Sequence, residues 1–380
     1  MAEKKKRSNG FIQKGKLDIP FLSLVLILLS IGLIMLFSAS YAYSDTNFNN
    51  SYHFISRQAI FAVIGVVIML AVSKVDYHIY KRFAWIFYIV TVGLLAILLV
   101  LPPMLSGTDV KRWFAIGSFS FQPSEFAKIA IAILFSSWLS ANPGKIKQFK
   151  YVIALLVLLG IPCVLVVLEP HLSATLLIFS IGIILMIVGG IKKRWLGAGV
   201  LLGLGGGALA ILSGAVSYGS DRIKYWLDPW ADPSGKGYQT IQSLLAIGSG
   251  GLMGRGIGMS RQKYLWVPEP HNDFIFAIVC EELGIIGALV VICLFCALVW
   301  RGFTIAMRAE DTFGTFLSLS LTCHVGLQAL LNILVVTNTM PNTGISLPFF
   351  SYGGTALVIL LAEMGIVLSV SRGSSVQKLS

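Results

Sequence analysis

The stretch Val267–Gly284, VPEPHNDFIFAIVCEELG, changes character at a single residue. Up to Asp273 it is polar and broken by prolines. From Phe274 it turns apolar and stays so to Val299, apart from Glu281 and Glu282. A helix of that length reaches across a hydrocarbon layer of about 30 Å. The stretch therefore reads as the mouth of a membrane span, with one acid at the entrance and two more inside.

Working outward, similar apolar runs recur along all 380 residues, of which 56% are hydrophobic and only 12% charged. A soluble domain carries about twice that charge. The expected fold is an all-α polytopic membrane protein. Its ten transmembrane helices are expected near 19–39, 57–74, 83–101, 124–140, 151–168, 172–190, 195–215, 273–300, 312–337 and 352–371. A large extracytoplasmic loop, 216–272, joins spans seven and eight and is expected to fold over the membrane. Residues 1–17 form a basic cytoplasmic tail, 18–372 a single ten-span domain, and 373–380 a second cytoplasmic tail.

The formal charge of +12 does not imply a nucleic-acid partner. Most of the Lys and Arg residues sit in the N-terminal tail and in alternate short loops, the loops 40–56, 169–171 and 338–351 have none, and the six in 216–272 lie in a loop long enough to be translocated regardless of charge. That is the positive-inside pattern, and it puts both termini in the cytoplasm. The five cysteines all fall inside expected spans and offer neither a disulfide framework nor zinc spacing. The first apolar run is too long for a cleaved signal peptide and reads as a retained span.

The topology places Asp273 at the outer face. It reads as a helix cap, as an acid facing a cavity, or as both. Glu281 and Glu282 lie about 12–14 Å further along a helix and at different azimuths, so they share no site with Asp273. An acid in mid-span costs about 2.5–3.5 kcal/mol, offset here by apolar neighbours, and it needs a partner or a wet cavity. Neighbouring helix ends or polar residues are the expected partners. Glu125 and Lys128 are i, i+3 neighbours that can pair. Glu169, Arg57 and Glu363 are further isolated charges near span ends.

In the long loop, Gly248–Gly258 lacks GK[ST] and follows no strand, so its glycines read as turns or close packing rather than a nucleotide site. Arg222, Lys224, Arg255, Arg261 and Lys263 are placed either to meet an anionic headgroup or to stay solvated. Ser351 has no histidine tied to it. His171, His271 and His324 are too scattered for a metal cluster.

Four motifs then occur in order: KRWFAIGSFSFQPSEFAK (111–128), GSGGLMGRGIGMSRQK (248–263), the stretch quoted first, and GISLPFFSYGG (344–354). Together they resemble the SEDS family of cell-wall polymerases, which includes FtsW, RodA and SpoVE. The likeness covers the chain from about residue 17, and SRQK is more similar to the FtsW/SpoVE branch. The resemblance implies a peptidoglycan glycosyltransferase that polymerises lipid II into glycan strands at the outer face of the bacterial cytoplasmic (inner) membrane. It further implies a class B penicillin-binding protein transpeptidase as partner, surrounding membrane lipid, no nucleotide or organic cofactor, and no nucleic acid.

The family's essential aspartate maps onto Asp273, its RW tryptophan onto Trp113, and its QPSEFAK lysine onto Lys128. The chain departs from the family at His171, where P-D-L-G reads Pro170-His171-Leu172-Ser173, and also at Asn272 and Thr343. Glycosyl transfer needs a base for the acceptor hydroxyl and positive charge for the departing diphosphate. Asp273 is the expected base. Lys128, Arg112 and Arg222 are the expected diphosphate contacts, with a divalent ion, Mg or Mn, as the alternative. Trp113, Glu125 and His271 complete the expected substrate-binding set. A lipid II flippase and a non-catalytic scaffold for a transpeptidase are the competing readings.

Overall fold

The structure is a computed structural model and describes residues 15–102, 111–116, 119–192, 194–195, 197, 199, 205, 217–264, 266 and 268–373. Its helices are α1 (Ile19–Phe48), α2 (His53–Val72), α3 (His78–Val100), α4 (Pro123–Ala141), α5 (Phe149–Leu168) and α6 (Leu172–Val188). They continue with α7 (Ser217–Leu227), α8 (Tyr238–Gly250), α9 (Ile275–Met307), α10 (Thr312–Val336) and α11 (Gly354–Gly373). Eight of them, α1–α5 and α9–α11, are long and apolar enough to cross a membrane, and α6 is apolar but shorter. The chain is a multi-pass membrane protein. The expected seventh span, 195–215, lies for the most part outside the described residues.

Local chemistry sets the helix starts. The Asp18 carboxylate accepts the Phe21 N–H at the head of α1, and Asp311 accepts the Gly314 N–H at the head of α10. Each cap satisfies a donor that the helix itself leaves open. Proline opens α4, where its missing N–H costs nothing. Helices α4, α10 and α11 are largely buried, while α1, α2, α3, α5 and α9 turn exposed apolar faces outward. The buried polar residues Lys128, His324, Gln328, Asn332 and Glu363 all lie on the three inner helices. This is where intramembrane polar groups find partners.

Two features differ from the sequence reading. The first is a small antiparallel hairpin, β1 (Phe114–Ile116) and β2 (Phe119–Phe121), in a fold expected to be all-α. The second is the region 216–272, which is more than a loop over the membrane. Helix α8 packs along α9, and the turns after it pair backbone to backbone with α9. The Arg255 and Gly256 N–H groups donate to the Glu281 and Glu282 carbonyls. The Ile285 and Ile286 N–H groups donate to Gly251 and Leu252. At Gly284, φ 69 and ψ −173 break α9 so that this pairing can form.

That pairing decides where the acids lie. Residues Ile275 to Glu282 are all buried, and exposed residues on α9 begin at Ile285. The first turns of α9 are therefore walled by protein rather than lipid, and Glu281 and Glu282 do not meet the hydrocarbon as the apolar run suggested. The Glu282 carboxylate takes hydrogen bonds from Ser38 Oγ at 2.7 Å and Lys263 Nζ at 3.2 Å. Glu281 accepts from Ser260 Oγ at 2.5 Å and from the Arg261 N–H at 3.0 Å. Both acids are structural clamps on the SRQK turn.

Candidate functional site

Asp273 lies just before α9, held from behind rather than through its side chain. Asn332 Nδ2 on α10 donates to the Asp273 carbonyl at 2.7 Å and to the Ile345 carbonyl at 2.6 Å. The carboxylate is half-buried and has no hydrogen-bond or ion-pair partner among the described residues. Gly344 passes close by, with φ +71, and a Cβ there would sit 3.2 Å from Asp273 Oδ2. Burial, reinforced by the Glu269 carboxylate, pushes the Asp273 carboxyl up to about 6, and Arg222 and Arg112 pull only partly against it.

The cations are delivered by three separate elements. Arg112, at the foot of the hairpin, donates from Nε to the Glu169 carbonyl at 3.2 Å and also to the Pro170 carbonyl. Arg222 on α7 donates to the Asn342 carbonyl. Lys128 on α4 is buried, pairs with Glu125 at 2.9 Å, and donates to Gln328 Oε1 at 3.3 Å.

His171 reports that the cations converge. Its Nδ1 lies 3.1 Å from Gln122 Nε2 and 3.3 Å from Ser124 Oγ. Burial first, then Arg112, Lys128 and Arg222, lower it to about 3, so the ring is neutral. The arrangement is thus one lone carboxylate facing a cationic set of two arginines and a lysine around a neutral imidazole. Beneath it, Glu169 is fully buried with neither carboxyl oxygen hydrogen-bonded. Burial raises it to about 8 against the pull of Arg112, so it holds its proton at neutral pH.

The structure brings together Asp273, Arg112, Arg222, Lys128 and Glu125 from the expected set. The other two are near neighbours of these in the chain, each with surroundings of its own. His271 is buried in an aromatic cluster, with ring centroids 4.2 Å from Phe54 and 5.0 Å from Tyr43. Burial alone lowers it to about 4. Trp113 adjoins Arg112 and is half-buried, with no ring stacked on it among the described residues. Sequence reasoning passed over Gln328, Asn332 and Gly344. The first two carried a signal, since His324, Gln328 and Asn332 recur every four residues on an otherwise apolar helix.

A single carboxylate opposite several cations is suited to deprotonating a nucleophile beside an anionic leaving group. Among the described residues, no three His, Cys, Asp or Glu side chains gather as a metal cage.

Comparison with known proteins gives a consistent picture. Residues 20–376 match the FtsW/RodA/SpoVE family model, described as cell cycle protein. Stage V sporulation protein E of Bacillus subtilis is 38% identical over 364 residues, covering 95% of this chain and 99% of the relative. A probable peptidoglycan glycosyltransferase FtsW of a Geobacter species (strain M18) is 37% identical, covering 93% and 96%. In three dimensions, a chain from a peptidoglycan synthase complex that coordinates polymerization and crosslinking superposes with TM-score 0.74 at 27% identity, covering 94% and 98%. The rod shape determining protein RodA of Thermus thermophilus shares the fold, with TM-score 0.70, 24% identity and coverage of 94% and 98%. The chain is a member of the FtsW/RodA/SpoVE family of cell cycle proteins.

Proposed function

We propose that this protein is a peptidoglycan glycosyltransferase that polymerises lipid II at the outer face of the bacterial cytoplasmic membrane. The observation that carries the proposal is the Asp273 carboxylate, unpartnered and held near 6, with Arg112, Arg222 and Lys128 gathered around His171 nearby. A base of that strength is mostly ionised at neutral pH yet stronger than an ordinary aspartate. Asp273 takes the proton from the acceptor sugar hydroxyl as that oxygen attacks the anomeric carbon. The bond from that carbon to the lipid diphosphate breaks, and its electron pair leaves on the diphosphate oxygen. Arg112 and Arg222, with Lys128 behind them, offset the charge that appears there. Trp113 offers a flat face to sugar or lipid.

Asp273 has Arg222 and Arg112 near it as well as Glu269, so the positive charge for the diphosphate comes first from this chain's own side chains. Mg or Mn enters the proposal only as a companion of the substrate diphosphate. We place ten spans across the membrane, both termini in the cytoplasm, and 216–272 on the outer side. The relatedness to a chain of a synthase complex supports a class B penicillin-binding protein as partner. Glu281, Glu282 and Glu363, the internal charges on which a flippase reading rests, each have a bonded partner.

The test is glycan-strand synthesis from purified lipid II, comparing wild type with Asp273→Asn, alone and with the cognate transpeptidase. Polymer from wild type and a loss of at least about 100-fold in the variant, with both folded, supports the proposal. Equal rates mean that Asp273 is only a helix-entry residue. No polymer from wild type with its partner returns the protein to a scaffold or flippase.

A further inference from the structure

Among the buried polar residues of α10, His324, Gln328 and Asn332 are spaced i, i+4 and i+8 and therefore lie on one face. Polar groups at this depth are costly unless they are fully used. Their bonds run in a fixed order. His324 Nδ1 meets Glu363 Oε2 on α11 at 2.7 Å, and His324 Nε2 meets Gln328 Oε1 at 3.0 Å. Gln328 Oε1 also receives Lys128 Nζ, while its amide nitrogen donates to the Ser346 carbonyl at 3.1 Å. One turn further out, Asn332 holds the Asp273 carbonyl.

The donor and acceptor roles are determined by this order. An ammonium only donates and a carbonyl only accepts, so Gln328 cannot flip its amide without losing both partners. His324 Nε2 must then carry a proton for Gln328, and Nδ1 faces the Glu363 carboxyl. A network serving only to join helices has no need to end on functional groups. The His324–Gln328 chain ends on the ammonium of Lys128, and Asn332, four residues on, ends on the backbone of Asp273, so one rigid helix holds both from points about 6 Å apart along its axis.

We propose that the His324–Gln328–Asn332 stripe, locked at its deep end by Glu363, is a positioning spine that holds Lys128 and Asp273 in register across the site. The inference rests on the glycosyltransferase reading above. Without Gln328, Lys128 keeps only Glu125 and can swing toward it. Without Glu363, His324 is no longer held to donate to Gln328. None of the four touches substrate; they act through Lys128 and Asp273.

The experiment uses full-length protein in lipid nanodiscs, with lipid II as probe. Initial polymerisation rates over a range of lipid II concentration, giving kcat and KM, and thermal midpoints are read for Glu363→Gln, Glu363→Leu and Gln328→Leu. A glutamine at 363 can donate to Nδ1 of a neutral histidine whose Nε2–H still serves Gln328. Glu363→Gln is therefore expected to stay within about threefold of wild type. Glu363→Leu and Gln328→Leu are expected to lose kcat by about tenfold or more, with midpoints shifted by only about a few degrees. Wild-type rates in both leucine variants would overturn the proposal, as would losses that match the unfolded fraction or that appear equally in Glu363→Gln. If wild type makes no polymer, the glycosyltransferase reading fails and a thermal double-mutant cycle of Lys128→Met with Gln328→Leu decides the spine. Non-additive midpoints support it, and additive ones overturn it.

Discussion

At the scale of the residue, Asp273 shows how a site can be set by what a side chain lacks. Its backbone is fixed by Asn332, while its carboxylate is left without a partner. Burial then raises its affinity for a proton, to about 6. The group is half ionised there, so kcat/KM should fall as pH drops through about 6, with the limb absent in Asp273→Asn. The same shift makes the residue a cost to the fold. A carboxyl raised from 3.8 to about 6 favours the folded state at low pH, and that advantage is lost as pH rises through 6. Above pH 6 the fold carries an ionised, desolvated group that asparagine removes. Asp273→Asn should therefore raise the thermal midpoint at pH 8 by roughly 1 kcal/mol equivalent, after allowance for solvent screening, and by almost nothing near pH 4. A variant that loses activity and stability together would show that Asp273 is a structural cap.

At the scale of the element, the pairing of the Gly-rich turns with α9 is the feature that organises the half of the molecule that holds Asp273. Three glycines allow it. A Cβ at Gly250 would lie 2.0 Å from the Cys280 carbonyl oxygen, and one at Gly254 would lie 2.2 Å from that of Glu282. At Gly284 it would lie 2.3 Å from the Gly254 nitrogen, with φ +69. Gly254, with φ +78, combines the clash with a left-handed backbone, so Gly254→Ala should cost about 2–4 kcal/mol. Gly248 is a helical glycine with nothing near its Cβ position, and Gly248→Ala should be neutral or stabilising by about 0.5–1 kcal/mol. Thermal midpoints of the two variants in the same nanodisc check the contrast. The sequence made these glycines legible as turns or close packing, and it made Glu281 and Glu282 legible as acids needing partners. It could not show which backbone they meet, because that pairing joins segments about 30 residues apart and leaves no periodicity. The β1–β2 hairpin was hidden for a related reason, since strands of three residues are too short for alternation to register. The α10 stripe was visible as spacing, yet its partners lie on α4, α11 and the approach to α9.

At the scale of the whole molecule, two antiparallel neighbours measure the membrane. At one end of the α1–α9 pair, Arg301 forks onto Asp18, with contacts of 3.0 and 2.8 Å. At the other, Ser38 and Lys263 hold Glu282. Asp18 to Ser38 along α1 is about 30 Å, and Glu282 to Arg301 along α9 is about 28 Å. Both lengths match the hydrocarbon thickness. Exposed apolar residues run on α9 from Ile285 to Trp300, with Met307 beyond, and on α1 from Ile19 to Ile34, with Tyr41 and Phe48 beyond. The long apolar run quoted at the start therefore contains two physical regimes, a protein-walled first part and a lipid-facing second part, which hydropathy alone merges because both exclude water. Spin labels placed singly at the exposed positions Ile285, Val290 and Trp300 should give a depth profile with its oxygen-accessibility maximum nearest 290. Labels at 285 and 300 should lie close to opposite headgroup layers, where a water-soluble nickel reagent reaches them. If the label at 285 instead lay at the bilayer centre, the Glu281–Glu282 clamps would be inside the hydrocarbon and the site would open well below the outer surface.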